Sequence, residues 1–149
     1  KRNRRKGGGQ VFYGSHKHTL DAKGRLFMPA KFREQLSETF VVARSFDTCL
    51  AVYPTQKWNT LCEKIRALPE WKSKKLARFL YPSACEAAPD AQGRILIPCA
   101  LRDYAGLGKS AVVIGMGDYA EIWEPQKLDA ARADDTPADI IEMMKELDF

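Results

Sequence analysis

Two short segments of this chain combine a turn with arginine side chains that can bind anions. Arg25 and Arg94 each follow the glycine of an Asp-x-x-Gly turn, and Arg33 and Arg102 lie eight residues further on. A guanidinium group can donate two parallel hydrogen bonds to a phosphate or to the edge of a guanine base. Alternatively, Arg25 and Arg94 pair with the aspartates of their own turns, while the later arginines lie on a solvated or ion-paired helix face.

The two segments are copies of one internal repeat. Asp-Ala-Lys-Gly-Arg-Leu-Phe-Met-Pro at 21–29 returns as Asp-Ala-Gln-Gly-Arg-Ile-Leu-Ile-Pro at 90–98, an offset of 69 residues. Later matches, such as 52–53 with 122–123, have offsets of 70 or 71, as loop insertions would produce. Since a copy of roughly 40–45 residues cannot bury enough apolar surface alone, we expect both copies to share one core about a pseudo-twofold axis.

Each repeat begins with a predicted β-hairpin. A strand over 16–20 leads into the turn, where Asp21 can accept backbone N–H groups and Gly24 can take a positive φ. A second strand over 25–28 completes the hairpin. Asp90 and Gly93 have the same turn-structuring roles in the second repeat.

The remaining pattern predicts a mainly β fold with helices, arranged as a small intertwined barrel. After each Pro comes a short helix and then a second hairpin. The predicted segments are a basic tail at 1–10, repeat one at 11–58, a helical insert at 59–85, repeat two at 86–128 and an acidic tail at 129–149. The apolar stripe of the insert packs either on the chain's own barrel or at a subunit interface. The acidic tail is either a loosely docked helix or disordered, and the basic tail is either a native arm or an added segment.

The two repeats differ in charge. Residues 16–58 carry a net charge of +3 and residues 86–128 carry −2. Lys17, Lys23 and Lys31 of repeat one are matched by Glu86, Gln92 and Ala100 in repeat two. We therefore predict that repeat one dominates contact with a polyanion such as double-stranded DNA.

Enzyme, metal and membrane signatures are not found in the sequence. The chain lacks the Gly-x-Ser-x-Gly, His-Glu-x-x-His and phosphate-loop motifs. Its four cysteines are far apart, and His16 and His18 lack acidic or cysteine partners at ligand spacing. No apolar run approaches the ~18–20 residues of a membrane span. We predict no catalysis, no metal and no cofactor, and a cytoplasmic protein with reduced thiols.

The residues that carry the repeat resemble a known family. His-Lys-His-Thr-Leu-Asp-Ala-Lys-Gly-Arg-Leu-Phe-Met-Pro-Ala-Lys-Phe-Arg-Glu at 16–34 and Asp-Ala-Gln-Gly-Arg-Ile-Leu-Ile-Pro-Cys-Ala-Leu-Arg-Asp-Tyr-Ala at 90–105 are similar to the MraZ family, of the AbrB-like swapped-hairpin superfamily. The resemblance spans residues 12–125. It implies a double-split β-barrel from two AbrB-like repeats and a homo-oligomeric ring.

The resemblance also implies a function and the residues that perform it. The expected function is sequence-specific binding to short direct repeats in promoter DNA, with repression of the division and cell-wall gene cluster and association with the nucleoid. By position, the DNA contacts fall on Arg25 and Arg94, with Lys23 and Arg33 as neighbours. The candidate nucleic-acid-binding set is therefore Lys17, Lys23, Arg25, Lys31, Arg33, Arg94 and Arg102. The alternative is a protein-binding module of the same fold, either antitoxin-like or a scaffold.

Overall fold

The computed structural model of the chain describes residues 11–148, and the predicted basic tail at 1–10 lies outside them. The strands in this range are β1 (Ser15–Thr19), β2 (Arg25–Phe27), β3 (Phe40–Arg44), β4 (Leu50–Tyr53), β5 (Cys85–Ala87), β6 (Arg94–Leu96), β7 (Ser110–Gly115) and β8 (Ala120–Trp123). The helices are α1 (Ala30–Gln35), α2 (Thr55–Arg66), α3 (Glu70–Leu80), α4 (Cys99–Ala105), α5 (Pro125–Ala133) and α6 (Pro137–Lys145). Strands β1–β4 with α1 match strands β5–β8 with α4, so both repeats have the same element order.

The repeats exchange strands with each other. One antiparallel sheet has the order β1-β7-β8-β4-β3-β5, and β2 pairs with β6 in a separate two-stranded ribbon. Replacing every strand by its equivalent in the other repeat reproduces the same order read backwards, as a pseudo-twofold axis requires. The predicted fold class, mainly β with helices in two repeats, is confirmed. Within residues 11–148 the hydrogen bonding is divided between this open sheet and the ribbon, with no closed ring of strands.

The prediction that 16–28 forms a paired hairpin is wrong. The turn is present, with Gly24 N–H donating to Asp21 O and Asp21 N–H donating to Arg25 O. The flanking strands then diverge, because β1 pairs with β7 and β2 pairs with β6. Turn residues set the reversal of the chain but do not choose the partner strand. The second hairpin predicted for repeat one, by contrast, is confirmed as β3–β4.

One core lies between the repeats and receives equivalent side chains from both. Leu26 and Ile95, which face each other across the ribbon, are buried, as are Phe32 of α1 and Leu101 of α4. Full burial of a side chain of this size contributes roughly 1.5–3 kcal/mol. The core therefore stabilises both repeats together and packs against the inner face of the ribbon.

The helices outside the repeats pack on this sheet to different extents. The stripe on α2 and α3 packs against the chain's own sheet, where Ile65 and Leu80 are buried beside Ala43. Helix α5, which joins the end of repeat two to the start of the acidic tail, docks through Leu128. Helix α6 has no buried residue and exposes Ile140, Ile141, Met143 and Met144. Leu147, two residues past the end of the helix, is exposed as well. Among the helices described between residues 11 and 148, none has the length and apolar character that a membrane span requires.

Candidate nucleic-acid interface

The aspartate of the first turn organises the backbone around Arg25. Asp21 Oδ1 accepts hydrogen bonds from the N–H groups of Lys23 and Arg25, both at 2.9 Å. Its other oxygen, Oδ2, accepts Arg25 Nε at 2.7 Å. Gly24 completes the turn with φ of 84°, a value that favours glycine.

The second turn repeats this geometry. Asp90 Oδ1 accepts the N–H groups of Gln92 and Arg94, both at 2.9 Å, and Oδ2 accepts Arg94 Nε at 3.0 Å. Gly93 has φ of 85°. Both arginines therefore take part in the ion pair that the sequence left open as an alternative. Their side chains nevertheless stay partly accessible, at 34% for Arg25 and 22% for Arg94.

The ribbon places the two arginines on one face. Arg25 lies opposite Leu96, and Phe27 lies opposite Arg94, whereas the pair between them, Leu26 and Ile95, turns into the core. Since alternate residues of a strand point to opposite faces, Arg25, Phe27, Arg94 and Leu96 share the outer face, which we call the ribbon face. Its cations occupy one diagonal and its apolar side chains the other.

Hydrogen bonding keeps the turn carboxylates ionised. The pKa of Asp21 is lowered to about 2, first by the hydrogen bond from the Arg25 backbone N–H and also by the Arg25 guanidinium. The pKa of Asp90 is lowered in the same way, with the backbone N–H of Arg94 as the largest cause. A second cation approaches Asp21 from the other repeat, since Arg94 Nη1 lies 3.7 Å from its Oδ2.

The helix arginines do not stand on a free helix face. Arg33 Nε donates to Met28 O at 2.9 Å, and Arg102 Nε donates to Ile97 O at 2.8 Å. Each guanidinium also reaches across to the other repeat. A Cβ built on Gly24 would lie 2.8 Å from Cζ of Arg102, and one built on Gly93 would lie 2.9 Å from Cζ of Arg33.

The structure brings only one of the three predicted lysines to the turns. Lys23 is part of the first turn and is exposed. Lys17 lies opposite Val112, a side chain that packs towards α5, so it occupies the sheet face away from the core. Lys31 lies with its Nζ 4.4 Å from the centre of the Tyr13 ring.

Two residues of the ribbon face were missed by the motif-based reasoning. Phe27 is 43% exposed and Leu96 is 56% exposed, although both look like core residues in the sequence. The available signal was strand alternation, because Leu26 and Ile95 are buried and their neighbours must face outwards. His18 adds an imidazole beside Phe27, with the ring centres 5.9 Å apart.

This arrangement is suited to binding a polyanion rather than to catalysis. The two turns and the arginines that brace them hold five cationic side chains against two carboxylates: Lys23, Arg25, Arg33, Arg94 and Arg102 against Asp21 and Asp90. Within residues 11–148, no three His, Cys, Asp or Glu side chains cluster in a way that could hold a metal ion.

Comparison with known proteins assigns the family. The family model described as "MraZ protein, putative antitoxin-like" matches the chain twice, over residues 11–78 and 80–142. The chain belongs to the MraZ family. Proteins named "Transcriptional regulator MraZ" are 44% identical to it in Carboxydothermus hydrogenoformans, over 78% of this chain and 82% of the relative, and 47% identical in Natranaerobius thermophilus, over 80% and 85%. The relative of that name from Ligilactobacillus salivarius is 44% identical over 93% of this chain and its own full length.

Membership in the MraZ family has two consequences. The double match of one model agrees with the internal repeat and with the symmetric strand order. The named relatives are regulators of transcription, so the chain's class of function is transcription regulation rather than enzymatic catalysis, as the sequence predicted.

Proposed function

We propose that the chain is a sequence-specific DNA-binding regulator that contacts double-stranded DNA through the ribbon face and its two turns. The observation that carries this proposal is the placement of Arg25 and Arg94 on one face of one two-stranded ribbon. A major groove about 12 Å wide admits a two-stranded ribbon. Arginine on such a ribbon can donate to guanine, while an apolar neighbour can contact a thymine methyl group.

The remaining cations either attract the phosphate backbone or support the turns. Lys23 is exposed on the first turn and is suited to a phosphate beside the groove. Lys17 lies on β1 and Lys31 on α1, outside the turns and the ribbon, so we assign them long-range attraction of the phosphate backbone. Arg33 and Arg102 each contact the turn of the opposite repeat and support it. Repeat two lacks counterparts of the three lysines, which supports a larger contribution from repeat one.

The target and the assembly follow from the resemblance to MraZ proteins and from avidity. The proposed operator is a set of short direct repeats in the promoter of the division and cell-wall gene cluster, including the chain's own gene, with repression as the outcome at the nucleoid. One ribbon offers few base contacts, so a homo-oligomeric ring that engages several repeats at once would convert weak single contacts into tight binding. The exposed apolar face of α6 supports self-association.

A direct binding experiment tests the proposal. Labelled DNA from upstream of the chain's own gene is titrated with protein at several salt concentrations, against scrambled DNA of equal length. We expect preference for the upstream DNA and an affinity that falls steeply with salt, because phosphate contacts release counterions. Arg25→Gln should weaken this binding, and Arg132→Gln, which removes an exposed charge on α5, outside the turns and the ribbon, is its matched control. Equal, weak binding to both DNAs, with the protein folded, would favour a protein-binding module instead.

Assembly is tested on the same material. Light scattering should give a mass that is a multiple of the 16.8 kDa chain. A mass of one chain across the micromolar range would exclude the ring. The DNA contact would then be tested for the single chain.

A further inference from the structure

We infer that the helix arginine of each repeat positions the arginine turn of the other repeat. Arg102, in α4 of repeat two, holds the turn that presents Arg25, and Arg33, in α1 of repeat one, holds the turn that presents Arg94. The contacts are crossed, so each turn depends on the repeat to which it does not belong. The consequence for DNA binding rests on the proposed function, whereas the contacts can be tested without DNA.

The first crossed contact is made of three linked interactions. Ile97 N–H donates to Gly24 O at 2.9 Å, which ties the end of β6 to the first turn. Ile97 O accepts Arg102 Nε at 2.8 Å. The same guanidinium lies against Gly24, in the space that a Cβ would occupy. Arg102 thus covers the junction between the turn of repeat one and the strand of repeat two.

The second crossed contact repeats these interactions with the roles of the repeats reversed. Met28 N–H donates to Gly93 O at 3.0 Å, and Met28 O accepts Arg33 Nε at 2.9 Å. The Arg33 guanidinium lies against Gly93. Two independent occurrences in one chain make an accidental side-chain placement a poor explanation.

The contact needs an arginine on one side and a glycine on the other. A guanidinium is planar and carries an Nε–H on its stem, so it can donate to the carbonyl through Nε while the rest of the group lies beside the glycine. Lysine has one compact ammonium group and cannot do both. Glycine serves twice, because the turn needs its positive φ and the guanidinium needs the space beside its Cα.

The positioning role predicts a specific pattern of coupling. Arg102 acts on DNA binding through the turn of Arg25, although the two residues belong to different repeats. Loss of Arg102 should therefore matter little once Arg25 is gone, and it should add much more to the loss of Arg94, which reaches that turn only through its 3.7 Å approach to Asp21. Direct contact of Arg102 with phosphate would give additive losses with both.

The first experiment examines the contacts in the free protein by NMR. In ¹⁵N-labelled protein we expect a nuclear Overhauser effect from the Arg102 Nε–H to the Hα protons of Gly24, and one from Arg33 to Gly93. Gly24→Ala should abolish the Arg102 signal and retain the Arg33 signal, and Gly93→Ala should do the reverse. Effects confined to the glycine of the same repeat, or freely exchanging Nε–H groups, would overturn the inference whatever the protein binds.

The second experiment measures affinity for operator DNA in a double-mutant cycle. We expect Arg102→Gln to weaken binding several-fold alone, to add little to Arg25→Ala, and to multiply the loss of Arg94→Ala. Arg102→Lys should resemble Arg102→Gln, since charge alone does not restore the geometry. Full rescue by lysine would show a phosphate contact and overturn positioning. If Arg25→Ala itself has no effect while the NMR contacts are present, the proposed DNA surface fails and the crossed contacts stand.

Discussion

Asp21 and Asp90 accept the same three hydrogen bonds, and the distances differ by no more than 0.3 Å between the two repeats. The glycines that follow have φ of 84° and 85°. Outside this backbone framework the repeats diverge, because Lys23 is matched by Gln92 and Lys31 by Ala100. The turns are duplicates in geometry and unequal in charge.

The comparison separates two kinds of constraint. The hydrogen bonds of each turn fix its backbone in both repeats, because the equivalent aspartate accepts the equivalent N–H groups. An exposed lysine takes no part in this hydrogen bonding, so its loss changes the charge of the surface and leaves the fold unchanged. Geometry should therefore respond equally to matched changes in the two repeats, whereas DNA affinity should respond unequally.

The largest effect should come from removing the turn arginines one at a time. Arg25→Ala should weaken operator binding by about 1–3 kcal/mol for each base that the guanidinium reads, and a ring would multiply this loss through avidity. Arg94→Ala should cost less, because repeat two brings fewer cations to the groove. Titration of both variants on one operator measures the difference. Equal losses would end the asymmetric model, and circular dichroism of each variant guards against unfolding.

Substitutions of the two turn glycines should instead lower the unfolding free energy by equal amounts. Gly24→Ala and Gly93→Ala each place a side chain at a positive φ, at a cost of roughly 1–2 kcal/mol, and each displaces a guanidinium from the crossed contact. Urea denaturation should show similar losses of unfolding free energy for the two variants. Gly108→Ala is the matched control, since its Cβ would meet nothing within 4 Å. A loss confined to one repeat would mean that the turns are not structural duplicates.

A smaller difference should appear in the salt dependence. Each phosphate neutralised by a cation contributes ~0.9 to the slope of log affinity against log salt. Lys23→Ala should therefore flatten the slope by about one unit for each engaged copy, and Gln92→Ala should leave it unchanged. Binding isotherms at four or more salt concentrations measure both slopes. An unchanged slope for Lys23→Ala would mean that the arginines alone face the phosphates.

The internal repeat was sufficient to predict the order of elements and the shared core. Matching positions such as Leu26 and Ile95 behave alike because the same local pattern recurs under the same symmetry. Strand exchange was not predictable in this way. The turn at 21–24 has the chemistry of a hairpin, yet β1 and β2 pair with strands more than 60 residues away. Pairing over such distances is decided by burial across the whole fold rather than by local residues.

The site was predicted in part for a related reason. Arg25 and Arg94 were found from their position after a turn glycine, which is a local signal. The contact of Arg102 with Gly24 joins residues that are distant in the chain, and the sequence offered only a helix-face arginine. Phe27 looked like a core residue from its side-chain type alone. Strand alternation instead places it on the face opposite Leu26, and alternation was correct.

The smallest effect concerns the titration of the two aspartates. Asp21 has two guanidinium groups within 4.0 Å, from Arg25 and Arg94, whereas Asp90 has only the Arg94 group within that distance among the described residues. Both carboxyl groups have lowered pKa values, and that of Asp21 is about 2. We expect ¹³C NMR titration of the carboxyl carbons to place Asp21 at the lower pH.

The direction of the resulting pH dependence follows from linkage. A carboxyl group whose pKa falls on folding contributes stability that is fully present above its ordinary pKa of 3.8 and is lost as the pH falls through about 2. The turn of repeat one should therefore loosen only in strong acid. Arg25→Ala should raise the pKa of Asp21 only in part, because the largest cause of its lowering is the backbone N–H of residue 25, which the substitution retains. Full return of the Asp21 pKa to 3.8 in that variant would show that the guanidinium, and not the turn backbone, holds the carboxylate. It would also mean that the backbone framework shared by the two turns does not set the pKa of this carboxyl group.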